Sequence, residues 1–267
     1  MGGGNNKNRW RRRLAPPLGL MGVGLLSLGL LVNGVAAQPN LDWGGAFGGV
    51  DDEVAHAVQQ TDDGGYIVVG ETRTFGAGGR DIWLLKLNAG GTSEWSRTFG
   101  GPEDDVAYDV QQTRDGGYIL AGETHSFQAG SVVKSDFWLV KTDASGSELW
   151  NQRIGNTELP GVLDLPTLDE AHSILETGDG GYILAGWTMA GPSNDFWLVK
   201  TDVSGERLWD RQFGGSMHDQ AYAVRLTADG GYILAGKTDS VGAGSSDFWL
   251  VKTDSTGNEE WNKTYGG

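Results

Sequence analysis

The chain has no cysteine, 7 prolines in 267 residues and far fewer basic than acidic side chains. Without cysteine there is no disulfide, no thiolate metal ligand and no lipid-modified N-terminal cysteine, so packing alone must stabilise the fold. Long apolar runs are scarce too. The one at Leu18–Val32 is about fifteen residues, short of the roughly twenty that a membrane helix needs. It follows Lys7, Arg9, Arg11, Arg12 and Arg13, with no acidic residue before Ala37, and it leads to Val35-Ala36-Ala37. A basic segment, an apolar segment and small residues, in that order, predict a signal peptide over 1–37, cleaved after Ala37. The competing expectation is an uncleaved anchor over 18–37 with its arginines on the cytoplasmic side, the one route by which a membrane becomes a partner. Arg11-Arg12-Arg13-Leu14 carries only part of a twin-arginine export pattern.

Positive charge is in short supply: 20 Lys and Arg face 35 Asp and Glu, a net −15. The leader holds five of the basic residues and none of the acidic ones, which leaves 15 against 35 in the mature chain. A surface of this sign repels a phosphate backbone, so nucleic acid is not an expected partner. Helical periodicity is almost absent as well.

What the chain has is repetition. Trp43, Trp95, Trp150, Trp209 and Trp261 recur at intervals of 52, 55, 59 and 52 residues, and each leads to a signature such as Phe47-Gly48-Gly49, Phe99-Gly100-Gly101 or Tyr265-Gly266-Gly267. Each interval holds a short apolar segment such as Val54–Val58, then Asp63-Gly64-Gly65 or its counterparts at Asp115, Asp179 and Asp229. An apolar run from Tyr66, Tyr118, Tyr182 or Tyr232 follows, and then Asp136-Phe137-Trp138-Leu139-Val140-Lys141 or its counterparts from Asp81, Asp195 and Asp247. Glycine permits the positive φ of a tight hairpin and aspartate bonds the turn backbone, so each Asp-Gly-Gly predicts a hairpin. Four short aromatic and β-branched strands per repeat predict an all-β fold, a β-propeller of four-stranded antiparallel blades. The propeller domain is expected over 38–267, with repeats at about 43–94, 95–149, 150–208 and 209–260 and a terminal outer strand over 261–267. Nine of the 11 tryptophans fall at two repeating positions, which predicts packing between blades. Lys86, Lys141, Lys200 and Lys252 read as solvated ends of the third strand.

Closure is open at this level. The Trp43 segment and the Trp261 segment both resemble an outermost strand, which predicts either a small four-bladed ring with a spare strand or an arc of a larger propeller. A free edge predicts self-association.

Through its Asp-Gly-Gly-Tyr-Ile and Asp-Phe-Trp-Leu-Val-Lys blocks the chain resembles the β-propeller repeat proteins of bacterial and archaeal cell-surface and secreted proteins, over 41–267. That resemblance implies the fold and an extracytoplasmic location, secreted, periplasmic or at the cell surface, and is silent on activity. Asp143–Trp150 and Asp202–Trp209, where a glycine turn precedes a tryptophan by four residues, are more distantly similar to quinoprotein-type propellers. Here the aspartate stands three residues before the glycine, one fewer than in that family, and no quinone site is matched.

In a propeller, the loops from fourth to first strand and from second to third strand share one face. Here that face varies in length, through Val132-Val133-Lys134 and through 157–168, as a binding face does. It is also expected to carry Asp52, Asp104, Asp105, Asp169 and Asp219 around the channel mouth, a candidate site for Ca²⁺ or another cation. His56 and His172 take the place of Tyr108 and Tyr222 and read as packing residues, whereas His125, His218 and Trp187 are the candidates for a binding face. No catalytic residue or bound cofactor is predicted. The expected function is a binding or scaffold module for a protein or carbohydrate partner. The alternatives are a propeller enzyme (lyase, hydrolase or quinoprotein-like oxidoreductase) and a truncated piece of a longer surface protein.

Overall fold

A computed structural model of the chain describes residues 44–126, 134–155, 167–189 and 192–267. The expected export signal at 1–37 and the loop residues Val132 and Val133 lie outside the described residues, as does most of the 157–168 insertion.

Among the described residues sixteen strands fall into four sheets. The first holds β1 (Glu53–Gln60), β2 (Tyr66–Thr72), β3 (Asp81–Leu87) and β4 (Ser93–Phe99). The second holds β5 (Asp105–Gln112), β6 (Tyr118–Thr124), β7 (Asp136–Thr142) and β8 (Glu148–Ile154). The third holds β9 (Leu168–Glu176), β10 (Tyr182–Met189), β11 (Asp195–Thr201) and β12 (Arg207–Phe213), and the fourth β13 (Asp219–Leu226), β14 (Tyr232–Thr238), β15 (Asp247–Thr253) and β16 (Glu259–Tyr265). Strands pair antiparallel in chain order within each sheet, as blades of a propeller do. Of the two segments that resemble an outermost strand, the C-terminal one is β16, the outer strand of the fourth blade. Residues 44–49 form no strand.

The hairpins form as the Asp-Gly-Gly turns dictate. Asp115 Oδ1 accepts from the Gly117 N–H at 2.9 Å and from the Thr113 hydroxyl at 2.6 Å, while Gly116 takes φ 82°. The third-strand lysine then reaches back to the same turn. Lys141 Nζ lies 2.9 Å from Asp115 Oδ2 and donates to the Thr142 carbonyl at 2.9 Å. Lys86, Lys200 and Lys252 repeat the clasp with Asp63, Asp179 and Asp229 at 2.8, 3.0 and 2.9 Å. The four lysines are only 3–7% exposed, which corrects the expectation of solvated strand ends. An ammonium given a carboxylate and a carbonyl can be buried where an unpaired one cannot.

Blades pack face to face through aromatic rings. Phe137 meets Trp197 with centroids 4.5 Å apart, and Phe196 meets Trp249 at 4.6 Å. On the outer strands Trp95, Trp150 and Trp209 meet Tyr118, Tyr182 and Tyr232 of the following blade at 5.8, 5.9 and 6.1 Å. Each such ring removes about 150–250 Å² from water, roughly 4–6 kcal/mol as an upper bound. The tryptophans therefore do the packing that their period predicts.

Each blade packs on its neighbours in sequence, while the first and fourth leave opposite faces open. Val58 of β1 is 67% exposed where its counterpart Val110 is 4% exposed, and Phe248 of β15 is 76% exposed where Phe196 is fully buried. Between the closed ring and the arc, the fold is the arc.

Candidate functional site

The inner strands β1, β5, β9 and β13 each carry a one-residue bulge, at His56, Tyr108, His172 and Tyr222. A bulge leaves its extra residue outside the pairing ladder and re-aims it. The four rings stand in file, with centroids 5.2, 4.6 and 5.3 Å apart. This file is packed, as the sequence reading of His56 and His172 expects, yet it also faces a set of charged groups.

Those groups come from the second strands and the loops beside them. Paired with the residue two positions before each bulge, β2 and β6 present Glu71 and Glu123, where β10 and β14 present Trp187 and Lys237. Glu71 accepts from Arg80 Nη1 at 3.1 Å and lies 3.4 Å from His56 Nε2. Arg80 also donates to Asp104 from its Nε at 3.0 Å and from its backbone N–H at 2.8 Å. Glu123, 5% exposed, accepts from the Tyr108 hydroxyl at 3.0 Å and lies 3.2 Å from His125 Nε2. His172 Nε2 stands 3.2 Å from Glu170 Oε2. The hydrogen bond to Glu123 raises the His125 pKa against the opposing effect of burial. Burial, then the charges of Glu123 and Glu170, push the Tyr108 phenol up, so it stays protonated and acts as a donor. Burial works against the ionised form of Asp104, but its bonds to Arg80 outweigh that and hold its pKa below the ordinary value.

The other predicted site residues are placed as follows. Asp105, Asp169 and Asp219 are fully buried at the starts of inner strands, and Asp52 is exposed. Asp105 accepts from Gly101 N–H, Ser126 Oγ and Thr124 Oγ1, and Asp219 from Gly215 N–H and Ser240 Oγ. Among the described residues no group of three or more His, Asp or Glu is placed to hold a metal ion. His218 is exposed and its Nδ1 accepts from the Asn194 N–H at 3.2 Å, while Trp187 is buried. His125 alone of the binding-face candidates joins the charged cluster.

Sequence reading missed a second arrangement of carboxylates. Asp81 and Asp105 approach each other across Gly100, and Asp195 and Asp219 across Gly214. A Cβ at Gly214 would collide with Asp195 Oδ1 and sit 2.9 Å from Asp219 Oδ2. Burial raises the pKa of Asp81 and of Asp195, with the neighbouring carboxylate adding to it. The Oδ1 atoms of Asp195 and Asp219 are buried and accept no hydrogen bond. The signal was present, since an aspartate opens every third strand and two of the four first strands, but pairing them requires knowing that these strands belong to adjacent blades.

No protein-family model matches the chain, and no curated protein matches it.

Proposed function

We propose that the chain is an exported β-propeller repeat protein, of the secreted and cell-surface kind its repeats resemble, that binds a carbohydrate partner on the rim around Arg80, Glu71, Asp104, Glu123 and His125. One observation carries this reading. On a frame whose strands repeat closely, these charged groups belong to the first two blades and their loops, and the positions that match Glu71 and Glu123 in the later blades hold Trp187 and Lys237 instead. A repeat that departs from itself at one rim has the chemistry of a site rather than of a scaffold position. Carboxylates, a guanidinium and a partly exposed row of rings are the groups that hydrogen-bond and stack on a hydroxyl-rich ligand. The protonated Tyr108 phenol supports binding over proton abstraction at that atom.

The test is a glycan array probed with the purified chain, followed by titration of any hit against Arg80→Ala and Glu123→Gln. Loss of affinity by tenfold or more, with an unchanged circular dichroism spectrum, is the expected result. Binding that survives both changes places the ligand elsewhere, a protein partner with no glycan signal replaces this reading with the scaffold one, and glycan cleavage during the assay replaces it with an enzyme.

A further inference from the structure

We infer that the two open faces of the arc are the two halves of one blade junction, and that a second copy of this chain fills both, head to tail, so that two chains close an eight-bladed ring. The chain builds this junction three times internally, and each of its parts is present at the ends without a neighbouring blade, Trp83 meeting only Phe75 of its own blade at 5.6 Å.

At two of the three internal junctions a third-strand phenylalanine packs on the tryptophan of the next blade, Phe137 on Trp197 and Phe196 on Trp249, and at the first Ile82 holds that position in the cluster with Trp138. Phe248 is the next donor of such a ring and is exposed, and the tryptophan at the receiving position of the first blade is Trp83. Val110, Ile174 and Val224 are buried in the junctions, and their counterpart Val58 lies open on the first blade. Outer-strand Trp95, Trp150 and Trp209 lie against the turn glycines Gly146, Gly205 and Gly257 of the following blade. The exposed Trp261 and the positive-φ Gly91 (φ 74°) are the corresponding pair at the ends. The backbone repeats the pattern. The N–H groups of Asp105, Asp169 and Asp219 donate to the carbonyls of Arg80, Ser135 and Asn194 at 2.7, 3.1 and 2.7 Å. Glu53 and Ser246 hold the equivalent positions at the two ends.

The file of rings identifies the occupant. It alternates His56, Tyr108, His172, Tyr222, so a second copy placed after Tyr222 presents His56 and the alternation continues without a break. Propellers close with roughly four to eight blades. One further four-bladed copy brings the count to eight, within that range. Each junction joins unlike faces, the last blade of one copy to the first of the other, and the two junctions are exchanged by a two-fold rotation. The first-blade face holds a groove of about 250 Å³ lined by Phe47, Val54, Val68, Trp83, Leu85 and Leu87. Residues 44–49, which form no strand, give way there to the incoming blade.

The test is the solution mass of the full chain by light scattering over a concentration series. Two chains per particle are expected. Phe248→Asp and Val58→Asp alter exposed side chains at opposite ends, so each is expected to fold with an unchanged circular dichroism spectrum and to run as a monomer. An equimolar mixture of the two variants is expected to recover a two-chain species, because one intact junction forms between an undamaged last blade and an undamaged first blade. A wild-type monomer at every concentration overturns the proposal. A dimer that Phe248→Asp breaks and Val58→Asp does not is a like-with-like contact, and it overturns the proposal as well. The outcome is independent of glycan binding.

Discussion

Asp179, in the turn between β9 and β10, is held at a pKa of about 2, first by the Thr177 hydroxyl and then, against burial, by Lys200 and the Gly181 N–H. Asp195, at the start of β11 on the same blade, is shifted the other way by burial and by Asp219. The two therefore couple stability to pH with opposite sign. Asp179, depressed in the fold, contributes stability that is complete above its unfolded pKa near 3.8 and is lost as pH falls from there toward 2. Asp195, raised in the fold, favours the folded state below its unfolded pKa, and that contribution is lost as pH rises through the folded value. Urea midpoints measured from pH 7 down to pH 2 are expected to show Asp179→Asn less stable than wild type at neutral pH, by at most about 1 kcal/mol because the carboxylate is largely exposed. Asp195→Asn is expected to be more stable at neutral pH, by on the order of 1 kcal/mol, with its advantage vanishing in acid. The turn role of Asp179 was legible in the sequence because its partners lie within two residues. Its clasp on Lys200 was not, because a lysine in a strand pattern reads as solvated until the fold delivers a carboxylate from 21 residues away.

Two adjacent glycines separate conformation from space within one hairpin. Gly180 takes φ 84° with nothing near the place of a Cβ, so Gly180→Ala meets only the left-handed penalty of about 1–2 kcal/mol. Gly181 needs no such φ, but its Cβ would collide with the Thr201 carbonyl oxygen of the neighbouring strand. Because a backbone atom yields less readily than a side chain, Gly181→Ala is expected to be the more damaging change, by a further 1–3 kcal/mol or so. Denaturant midpoints for the two variants check the order. At this scale the sequence was most informative: the strands of the described residues stand where the turns and apolar runs put them. It was ambiguous only where two segments, around Trp43 and Trp261, carry the same signature and compete for one role. Pairing with β15 decides for the second.

Across the whole molecule stability runs through junctions in series, since each blade packs on its neighbours in the chain. Phe196 is fully buried between the third and fourth blades, so Phe196→Ala is expected to cost about 3–5 kcal/mol. It should also uncouple the fourth blade, splitting one unfolding transition into two when followed by tryptophan fluorescence. A single cooperative transition at the wild-type midpoint would show that this junction carries little of the stability. The arc was not decidable from sequence, because the residues of an end face and of a buried junction are the same residue types. Val58 and Val110 differ only in what stands beside them. The charged rim was half legible. His125 and Asp104 were candidates from their loops, whereas Glu71, Arg80 and Glu123 look like ordinary strand and loop charges until β2, β6 and their neighbours are assembled.

The bulge on each inner strand has an evolutionary consequence. A residue outside the ladder takes no part in setting register, and its neighbours on either side already hold the strand in place. Exchange of His for Tyr there, as between the first and second blades, changes what the axis displays and leaves the blade's folding instructions intact. The fold thus leaves one position per inner strand free to change, and a lineage can explore new chemistry along the axis without first having to relearn how to fold.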